Sequence, residues 1–435
     1  MARVTVVGAG YVGLIQSVCL ADVGHDVTCM DVDTGKVERL SRGEPTIHEP
    51  GLTELLERSL SSGRLRFAGP DSDLKDVLGE IVFVAVGTPM AQNGAADLSY
   101  VREVADAVAS AARHPFTLAM KSTVPPGTGV TLKDRISARA KVEWGYVSNP
   151  EFLREGHAVD DWYQADRVVV GGDDAFHVER VAQLYEAIGS PIIRTDTASA
   201  ETIKYASNAF LSTKISFINE IANVCDCVGA DIDSVAAGIG MDRRIGPDFL
   251  RAGIGYGGSC FPKDTRALDF ISTIRGYQFD LLKAVIEVNN RQRLLPVIRL
   301  SKALGDLSGR KIAVLGLSFK PFTDDVRESP ALDIVPLLVE EGAEVFAYDP
   351  VAAPVDLGDA RRCDSVWEAI DGASAVLLLT EWPEFVALDW ARVAASLLEP
   401  RIVFDGRNAL DAQALKAEGL TYMAVGRDGA HRNRW

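Results

Sequence analysis

Arg3-Val4-Thr5-Val6-Val7-Gly8-Ala9-Gly10-Tyr11-Val12-Gly13 is the stretch that decides the fold of this chain. Its β-branched run predicts a strand that ends at Gly8, and the spacing of apolar residues predicts a helix over 14–23. A second strand is predicted over 27–30, ending at Asp31. Strand, helix and strand of this combined length form a βαβ unit. The glycines fit G-x-G-x-x-G in the context where that pattern indicates dinucleotide binding, between a strand and a helix.

The chemistry of this turn favours one dinucleotide. The glycines Gly8, Gly10 and Gly13 allow a tight turn and a close approach of backbone to a pyrophosphate, while the helix N-terminus offers unpaired N–H groups. Asp31 stands where a carboxylate accepts hydrogen bonds from the adenosine ribose, and its charge repels a 2′-phosphate. NAD is therefore favoured over NADP. At this point, an FAD enzyme and a core that keeps its glycines only for packing remain open.

Beyond this stretch, strands alternate with helices in the first part of the chain, which predicts a parallel sheet covered on both faces. A helical middle follows, and a second α/β part closes the chain. The further predicted strands are 81–86, 117–121, 167–170, 311–316, 344–349, 375–380 and 401–405; the predicted helices are 200–229, others up to about 305, and 330–341; a glycine-rich loop spans 253–260. We expect an α/β protein with a Rossmann-like NAD domain (1–198), a central helical domain (199–300) and a C-terminal Rossmann-like α/β domain (310–435).

Composition excludes several classes of function. The 435 residues carry a formal net charge of −16, which disfavours general binding to nucleic acid or to an anionic membrane. No apolar run approaches the ~18 residues that span a bilayer, and the start lacks the pattern of a secretory signal. We therefore expect a cytoplasmic protein. The six cysteines are too scattered for a disulfide framework, and Cys225-Asp226-Cys227 lacks the other ligands of a metal site.

The segment 253–264, GIGYGGSCFPKD, is the most informative in the chain. Its glycines let backbone approach a ligand, and Cys260 emerges beside Lys263 and Asp264. A nearby ammonium favours the nucleophilic thiolate. A thiolate next to an NAD site indicates oxidation of an aldehyde through a thiohemiacetal to a thioester, which water hydrolyses to an acid. The alternative is a buried structural cysteine, as we expect for Cys19, Cys29, Cys225 and Cys363.

Two further patterns are ambiguous by themselves. Lys204 and Asn208 share one face of the long middle helix, a pattern that is usually a solvated stripe. The segment 149–156, NPEFLREG, carries two carboxylates and an arginine after a strand, where binding and plain loop structure are both possible.

Taken together, these motifs resemble the nucleotide-sugar 6-dehydrogenases, the UDP-glucose/GDP-mannose dehydrogenase family. The resemblance runs through GAGYVG at 8–13, VGTP at 86–89, STVPPGT at 122–128 and NPEFLREG at 149–156, and it continues with GYGGSCFPKD at 255–264 and LSFKPFTDDVRESP at 317–330. It implies an enzyme that oxidises the C6 hydroxymethyl of a nucleotide sugar to a carboxylate with two NAD. It also implies that 199–300 serves dimerisation and catalysis and that 310–435 binds the nucleotide sugar. The ending SCFPKD indicates UDP-glucose, with UDP-glucuronate as the product and polysaccharide biosynthesis as its use.

The resemblance also implies a role for individual residues. The catalytic residues would be Cys260 as nucleophile, Lys204 and Asn208 for the oxyanion at C6, and Thr123, Glu151 and Asp264 for the hydrolytic water. The cofactor-binding residues would be Gly8, Gly10, Tyr11, Val12, Gly13, Asp31, Lys36, Thr88, Thr123, Glu155, Lys263 and Arg327. The substrate-binding residues would be Glu151, Phe152, Leu153, Arg154, Glu155, Lys204, Asn208, Arg244, Phe249, Leu250, Arg251, Ala252, Gly253, Gly257 and Lys320.

Several alternatives stay open. The same chemistry on dTDP-glucose or GDP-mannose is one. A two-electron hydroxyacid-type dehydrogenase shares the first turn and a helical middle, but needs neither Cys260 nor a second α/β domain. A sensor that has lost catalysis would lack a nucleophile, which this chain retains. Arg244 resembles an arginine that reaches the sugar of a neighbouring subunit, so we expect a homodimer or a higher even oligomer.

Overall fold

The computed structural model describes residues 1–91 and 93–427. The chain divides into two compact units. Of the described residues, the first comprises those within 1–207 and 270–276, and the second comprises 208–269 and 277–427. Among the described residues, no helix is both long and apolar enough to cross a membrane.

The first unit is built on an eight-stranded sheet in the order β3-β2-β1-β4-β5-β6-β7-β8. Its central strands are apolar and fully buried, as expected for a sheet covered on both faces. The strands are β1 (Arg3–Val7), β2 (Asp26–Met30), β3 (Leu65–Ala68), β4 (Ile81–Val84), β5 (Phe116–Met120), β6 (Trp144–Ser148), β7 (Val168–Gly171) and β8 (Ile192–Thr195). The prediction of a parallel sheet is wrong at one place, because β7 pairs antiparallel to β6 through Ser148 and Gly171.

Helices cover both faces of this sheet. They are α1 (Tyr11–Asp22), α2 (Thr34–Ser41), α3 (Leu52–Ser61), α4 (Leu74–Val77), α5 (Ser99–Ala111), α6 (Thr128–Ser137), α7 (Ala158–Tyr163) and α8 (Ala175–Ala182), followed by a 3₁₀ helix over Gln183–Ile188. Two hydrophobic clusters form the core, one packed around α1 and the other around α5. The predicted βαβ unit at the start of the chain is confirmed: β1, α1 and β2 follow one another, and β1 pairs parallel with β2.

The helical middle is also confirmed, and it begins with one long helix. Its helices are α9 (Thr197–Val228), α10 (Ile232–Gly240), α11 (Phe261–Ile274), α12 (Asp280–Gln292) and α13 (Leu295–Leu304). The boundary between the two units falls within α9, after Ser207, and again within α11, after Asp269. Each of these helices therefore contributes residues to both units.

The second unit contains a six-stranded parallel sheet in the order β11-β10-β9-β12-β13-β14. Its strands are β9 (Lys311–Leu315), β10 (Glu344–Tyr348), β11 (Arg361–Arg362), β12 (Ala375–Leu378), β13 (Ile402–Asp405) and β14 (Thr421–Ala424), and its helices are α14 (Pro330–Glu340), α15 (Val366–Ile370), α16 (Pro383–Val386), α17 (Trp390–Ser396) and α18 (Ala412–Ala417). In both sheets the first strand of the unit lies between the second and the fourth. This order is that of a Rossmann fold.

The acid at the end of the second strand differs between the two sheets. In the second unit this acid is Asp349, whose carboxylate accepts hydrogen bonds from the backbone N–H of Leu317, Ser318, Val351 and Ala352 and from the indole of Trp382. Five donors saturate a carboxylate, which has about four lone-pair sites. Moreover, no helix opens directly after β9, because α14 begins only at Pro330.

Candidate active site

The glycine turn after β1 has the geometry of a dinucleotide site. Gly8 has a φ of 105°, and a Cβ there would lie 2.6 Å from the carbonyl oxygen of Ala85. A Cβ at Gly13 would lie 1.8 Å from the carbonyl oxygen of Gly8, whereas a Cβ at Gly10 would meet nothing within 4 Å. Gly8 and Gly13 are thus required by the fold, and open space remains beside Gly10. No side chain caps α1 at Gly10, so the N-terminal amides of the helix suit the pyrophosphate of NAD.

Asp31 is tied to this turn from the end of β2. Its carboxylate accepts hydrogen bonds from Ala9 N at 2.8 Å, from Asp33 N at 3.0 Å and from Lys36 Nζ at 3.2 Å. Burial by itself would raise the pKa of Asp31, but these three hydrogen bonds outweigh it and hold the pKa below its usual value. Asp31 is therefore an anion at neutral pH, next to the turn, as the prediction of ribose binding requires.

Two predicted cofactor residues of neighbouring loops are joined by a hydrogen bond. Thr88 follows β4 and Thr123 follows β5, and the hydroxyl of Thr88 donates to the carbonyl oxygen of Thr123 at 3.0 Å. Because β4 and β5 are parallel neighbours, their loops leave the same edge of the sheet as the glycine turn. The first unit therefore gathers the glycine turn, Asp31, Thr88 and Thr123 at the carboxyl edge of its strands, where doubly wound sheets bind ligands.

Glu151 and Lys204 form a buried ion pair in the first unit. The Lys204 Nζ lies 2.8 Å from Glu151 Oε1, and Leu153 N donates to Glu151 Oε2 at 2.7 Å. The side chains are 5% and 6% exposed. Burial raises the pKa of the Glu151 carboxyl. The Lys204 ammonium, the hydrogen bond from Leu153 N and the charge of Lys121 lower it by more, so the pKa lies below its usual value. The alternative that Lys204 belongs to a solvated stripe on the helix is thus wrong, because this lysine is buried and ion-paired.

The ring of Phe152 lies next to this ion pair. The Lys204 Nζ is 5.4 Å from the centroid of that ring, and the guanidinium of Arg167 is 3.8 Å from it. Two cations facing one ring fix its position by cation–π attraction. Among the predicted substrate residues of this loop, Arg154 instead pairs with Asp161 at 2.6 Å and is mostly exposed.

Asn208, Asp264 and Lys263 form a chain of hydrogen bonds in the second unit. The Asn208 amide donates to Asp264 Oδ2 at 2.6 Å, and Lys263 Nζ lies 2.6 Å from Asp264 Oδ1. Asp264 is 1% exposed. A buried carboxylate needs such partners, because an unpaired buried charge is costly. Asn208 is therefore also not a solvated residue, although Lys204 and Asn208 do lie one turn apart on the predicted helix, α9.

Cys260 stands at the start of α11. Its carbonyl oxygen accepts the hydrogen bond of Asp264 N at 2.9 Å, which is the first helical bond, and its Sγ lies 3.5 Å from the hydroxyl of Ser259. The partial positive charge of a helix N-terminus stabilises a thiolate. Cys260 is partly exposed, whereas Cys19, Cys29, Cys225 and Cys363 are buried. The burial of these four cysteines agrees with the prediction that they are structural, and the partial exposure of Cys260 agrees with its being the exception.

The glycine-rich loop before Cys260 packs closely on the second sheet's loops. A Cβ at Gly257 would lie 2.2 Å from the carbonyl oxygen of Glu328, and Gly258 N donates to Arg327 O at 3.0 Å. Phe249, at the start of the predicted substrate segment, has a φ of 62°, which is an outlier for a bulky residue and a conformation that clusters at ligand sites. The remaining members of this segment are Leu250, Ala252 and Gly253, which are buried, and Arg251, which is exposed.

The other predicted residues of the second unit are more exposed. Arg327 pairs with Asp325 at 2.6 Å, and Arg244 pairs with Asp242 at 2.6 Å, with side chains 64% and 89% exposed. Lys320 is partly buried, with its Nζ 5.4 Å from the ring centroid of Phe319. Of the predicted residues in the first unit, Glu155 and Val12 are partly exposed.

Sequence reasoning missed the polar residues that hold the glycine-rich loop. The side chain of Asn289 bonds both Tyr256 N at 2.8 Å and Tyr256 O at 3.1 Å. Arg407 donates to the carbonyl oxygens of Leu379, Phe319 and Gly255, and burial lowers the pKa of its guanidinium. A signal for Arg407 was available, because it follows the buried strand β13 in the polar run Asp405-Gly406-Arg407-Asn408. Asn289 gave no such signal on its helix.

Comparison with known proteins identifies the family of this chain. Three models of one family match the chain in order: the NAD binding domain over 2–189, the central domain over 198–291 and the UDP binding domain over 313–412. The chain belongs to the UDP-glucose/GDP-mannose dehydrogenase family. In this family, the UDP-glucose 6-dehydrogenase TuaD of Bacillus subtilis is 44% identical over 98% of this chain and 94% of its own length.

Solved structures of the UDP-glucose/GDP-mannose dehydrogenase family share the fold over almost the full length. A UDP-glucose dehydrogenase from the archaeon Pyrobaculum islandicum superposes with a TM-score of 0.91 at 40% identity, covering 98% of each chain. A UDP-D-ManNAc dehydrogenase from Pyrococcus horikoshii gives a TM-score of 0.87 at 28% identity, with 98% of this chain and 100% of that chain covered. The predicted fold class, two Rossmann-like α/β parts with a helical middle, is thereby confirmed.

Proposed function

We propose that this protein is an NAD-dependent UDP-glucose 6-dehydrogenase, which oxidises the C6 hydroxymethyl of UDP-glucose to the carboxylate of UDP-glucuronate. The observation that carries the proposal is Cys260 at the N-terminus of α11, with Asp264 one turn later hydrogen-bonded to Asn208. A two-electron dehydrogenase has no use for this nucleophile. TuaD and the Pyrobaculum islandicum enzyme act on UDP-glucose according to their names, and the match to the family's NAD binding domain supports the cofactor.

The residues of the first unit bind the cofactor and hold the C6 oxygen in this proposal. NAD supplies the hydride acceptor for both oxidations. The turn 8–13 and Asp31 hold its pyrophosphate and ribose, with Lys36, Thr88 and Thr123 as further contacts. The Lys204 ammonium, kept in place by Glu151, is a preorganised donor for the negative charge that develops on the C6 oxygen.

The residues of the second unit carry the covalent step. The Cys260 thiolate adds to the C6 aldehyde to form a thiohemiacetal, whose oxyanion accepts a hydrogen bond from Asn208. Loss of the second hydride gives a thioester at Cys260. Water then attacks this thioester, its proton passing to a carboxylate among Glu151 and Asp264, and the thiol leaves as the carboxylate product forms. Covalent catalysis of this kind splits one difficult oxidation into easier steps.

The finer expectations belong to this proposal as well. We propose three functional parts: an NAD domain over 1–198, a dimerisation and catalytic part over 199–300, and a nucleotide-sugar domain over 310–435. The spans of the three family models support this division. We also propose a cytoplasmic enzyme of polysaccharide biosynthesis that acts as a homodimer or a higher even oligomer.

A stoichiometry assay tests the chemistry. We expect two NADH for each UDP-glucuronate formed, without accumulation of free aldehyde, and the highest kcat/KM with UDP-glucose in a panel that includes dTDP-glucose and GDP-mannose. One NADH per sugar with a stable aldehyde would contradict the four-electron mechanism, and a preference for another nucleotide sugar would correct the substrate.

The matched variant is Cys260→Ser, with Cys227→Ser as the control because Cys227 is exposed on α9 and outside the proposed site. A hydroxyl is a weaker nucleophile than a thiolate, so Cys260→Ser should lose steady-state turnover while still binding UDP-glucose. Cys227→Ser should keep the activity. Full activity of Cys260→Ser would remove the covalent step from the proposal.

A further inference from the structure

Lys121 is a buried lysine that the proposed chemistry does not use. It follows β5 directly, is 5% exposed, and has no carboxylate within ion-pair distance among the residues that the structure describes. Its Nζ instead donates hydrogen bonds to Asn149 Oδ1 at 3.2 Å and to the phenolic oxygen of Tyr185 at 3.2 Å. A buried lysine without an ion pair lowers the stability of the folded protein. A functional role would explain why a lysine stands at this position.

The two acceptors of Lys121 belong to a closed polar network. The Tyr185 hydroxyl donates to Asn149 Oδ1 at 2.6 Å and accepts from Gln16 Nε2 at 2.8 Å. The Asn149 amide donates to the Val169 carbonyl at 2.7 Å, and Trp162 Nε1 donates to Gln16 Oε1 at 3.1 Å. With Lys121 included, the phenol of Tyr185 uses its one donor and both its acceptor sites. The network therefore fixes the side chain of Asn149 in one orientation.

Asn149 is the root of the loop that carries Glu151. Pro150 lies between them and restricts the backbone of Asn149 to an extended conformation. The position of Asn149 therefore determines where the backbone of Glu151 lies. Lys121 also opens the loop that reaches Thr123 two residues later. Its backbone N–H is held by Val84 O at 2.9 Å. A single residue thus connects the Thr123 loop to the base of the Glu151 loop.

Charge reinforces this connection. The charged groups that act on Lys121 are Glu151, on the loop after β6, and Lys204, on α9. The titratable groups on the other packed elements are Tyr185 and, on α1, Cys19, and burial raises the pKa of both, so they are neutral near pH 7. Burial and Lys204 lower the pKa of Lys121 against the attraction of Glu151, to about 7. When protonated, Lys121 therefore places a second positive charge near the Glu151 carboxylate, which is ion-paired with Lys204.

We propose that Lys121 is a positioning residue for Glu151, holding the Glu151 loop through Asn149 and acting on the ion pair of Glu151 with Lys204 through its charge. The inference rests on the proposed function only in that Glu151 and Lys204 act at the reacting carbon. It assigns Lys121 no contact with substrate or cofactor. It also explains why a lysine stands here where an apolar residue would be more stable.

The first test is the pH profile of Lys121→Met, which removes the charge and the donor but keeps an unbranched chain. We expect kcat at pH 8 to fall ~10-fold or more, with KM for NAD changed less than about twofold. In the wild type, kcat should fall as the pH drops below 7 and Lys121 becomes charged, and this fall should be shallower in Lys121→Met. Lys133→Met is the control, because Lys133 pairs with Asp173 outside the network.

Tyr185→Phe is a milder second variant, which keeps the lysine. Loss of the phenolic acceptor destabilises the charged form of Lys121, so the acid-side fall of kcat should move to lower pH. An unmoved profile in Tyr185→Phe would overturn the proposal. So would a Lys121→Met protein whose kcat stays within about twofold of the wild type, or whose profile runs parallel to that of the wild type at reduced kcat, which is the result expected of a merely structural residue.

An activity-independent measurement separates this inference from the proposed function. With lysine-selective 13C labelling, one lysine resonance of the wild type should titrate near neutral pH and be missing from Lys121→Met. If every lysine titrates in its ordinary range, the inference is wrong even when the enzyme oxidises UDP-glucose. If the protein fails to oxidise any nucleotide sugar, the proposed function is wrong while this resonance is still observed.

Discussion

At the scale of single residues, Asp31 sets the choice between cofactors. Its carboxylate is an anion tied to the glycine turn. We expect Asp31→Asn to lower the affinity for NAD by ~10-fold and to narrow the preference for NAD over NADP, because one ribose acceptor and the charge that repels a 2′-phosphate are lost. Fluorescence titration with NADH and NADPH measures both affinities.

The control for this variant is Asp26→Asn at the other end of β2, where Asp26 pairs with Arg66 at 2.5 Å. It should leave both affinities unchanged. An unaltered ratio of NADH to NADPH affinity in Asp31→Asn would make Asp31 a structural residue of the strand end, and Lys36 would then be the residue to examine.

The ion pair of Glu151 with Lys204 makes a prediction about pH. In the wild type the folded-state pKa of Glu151 is lowered, so its contribution to stability is present above the unfolded pKa and is lost as the pH falls through the folded pKa. In Lys204→Met, burial raises the pKa of Glu151, and the folded protein then binds a proton that the unfolded chain releases. Its free energy of unfolding should therefore decrease as the pH rises from 5 to 8, by up to ~3–5 kcal/mol.

Urea denaturation of the wild type and Lys204→Met at pH 5 and pH 8 checks this. The double variant Glu151→Gln/Lys204→Met carries no buried charge at these positions, so its loss of stability should not grow with pH. Equal pH dependence in the single and double variants would show that Glu151 does not hold the charge in question.

At the scale of secondary-structure elements, Glu49 connects three parts of the first unit. The buried carboxylate of Glu49, just before α3, accepts the hydroxyl of Tyr11 at the start of α1. It also accepts the backbone N–H of Gly156 at 2.7 Å and of Ala158, at the start of α7, at 2.6 Å. The glycine turn, the end of the Glu151 loop and α7 are thus anchored on one side chain, which the sequence did not single out.

We expect Glu49→Gln to destabilise the protein by about 2–4 kcal/mol, because an amide nitrogen then faces donors that need an acceptor. Thermal unfolding measures the effect. Glu44→Gln is the matched control: Glu44 pairs with Arg42 on the exposed surface, and such pairs contribute little. Equal stability of the two variants would mean that water or a small backbone shift replaces the bonds to Glu49.

The sequence predicted elements whose signals are local. Three elements follow from short-range periodicity and glycine spacing: the βαβ unit at the start, the glycine turn at 8–13, and α14, which spans Pro330–Glu340 against the predicted 330–341. It did not predict the antiparallel pairing of β7 with β6, since the direction in which two strands pair depends on residues that are distant in the chain. Lys121 was missed for a similar reason: its acceptors, Asn149 and Tyr185, are far away in the chain, and nothing near Lys121 indicates that its side chain is buried. The roles of Lys204 and Asn208 came from motif resemblance, because their spacing by itself is more typical of a solvated stripe. Cys260 was indicated as a nucleophile by its local sequence, and the resemblance agreed.

At the scale of the whole molecule, an apolar stripe on α9 supports the proposed homodimer. Phe210, Phe217, Val224 and Val228 are 65%, 52%, 53% and 69% exposed, at spacings that place them along one side of the helix. The segment that carries Arg244 lies beside α9, since Lys214 Nζ donates to Ile245 O at 3.1 Å. Contiguous apolar surface of this kind marks an interface, and we propose a second copy of this chain as its occupant.

Subunit exchange tests this arrangement. Arg244→Ala and Cys260→Ser proteins should each be impaired, and a mixture should regain activity, because one site of the heterodimer combines an intact cysteine with the partner's intact arginine. Phe217→Asp should shift the protein towards monomer in sedimentation, whereas Phe176→Asp, an exposed position on α8, should not. A fully active monomer, or a mixture that stays inactive despite exchange, would contradict the shared site.

The saturated carboxylate of Asp349 has a consequence for the timing of catalysis. Because the carboxylate of Asp349 is saturated by hydrogen bonds, two of them from the turn after β9, it has no acceptor left for the ribose of a second dinucleotide. Under the proposed chemistry, both oxidations then use one cofactor position in succession. The half-oxidised sugar has to remain attached to the protein while spent cofactor leaves and fresh cofactor arrives. The amount of free aldehyde that escapes therefore depends on the ratio of two rates. These are the rate of cofactor replacement and the rate at which the covalently held sugar is released.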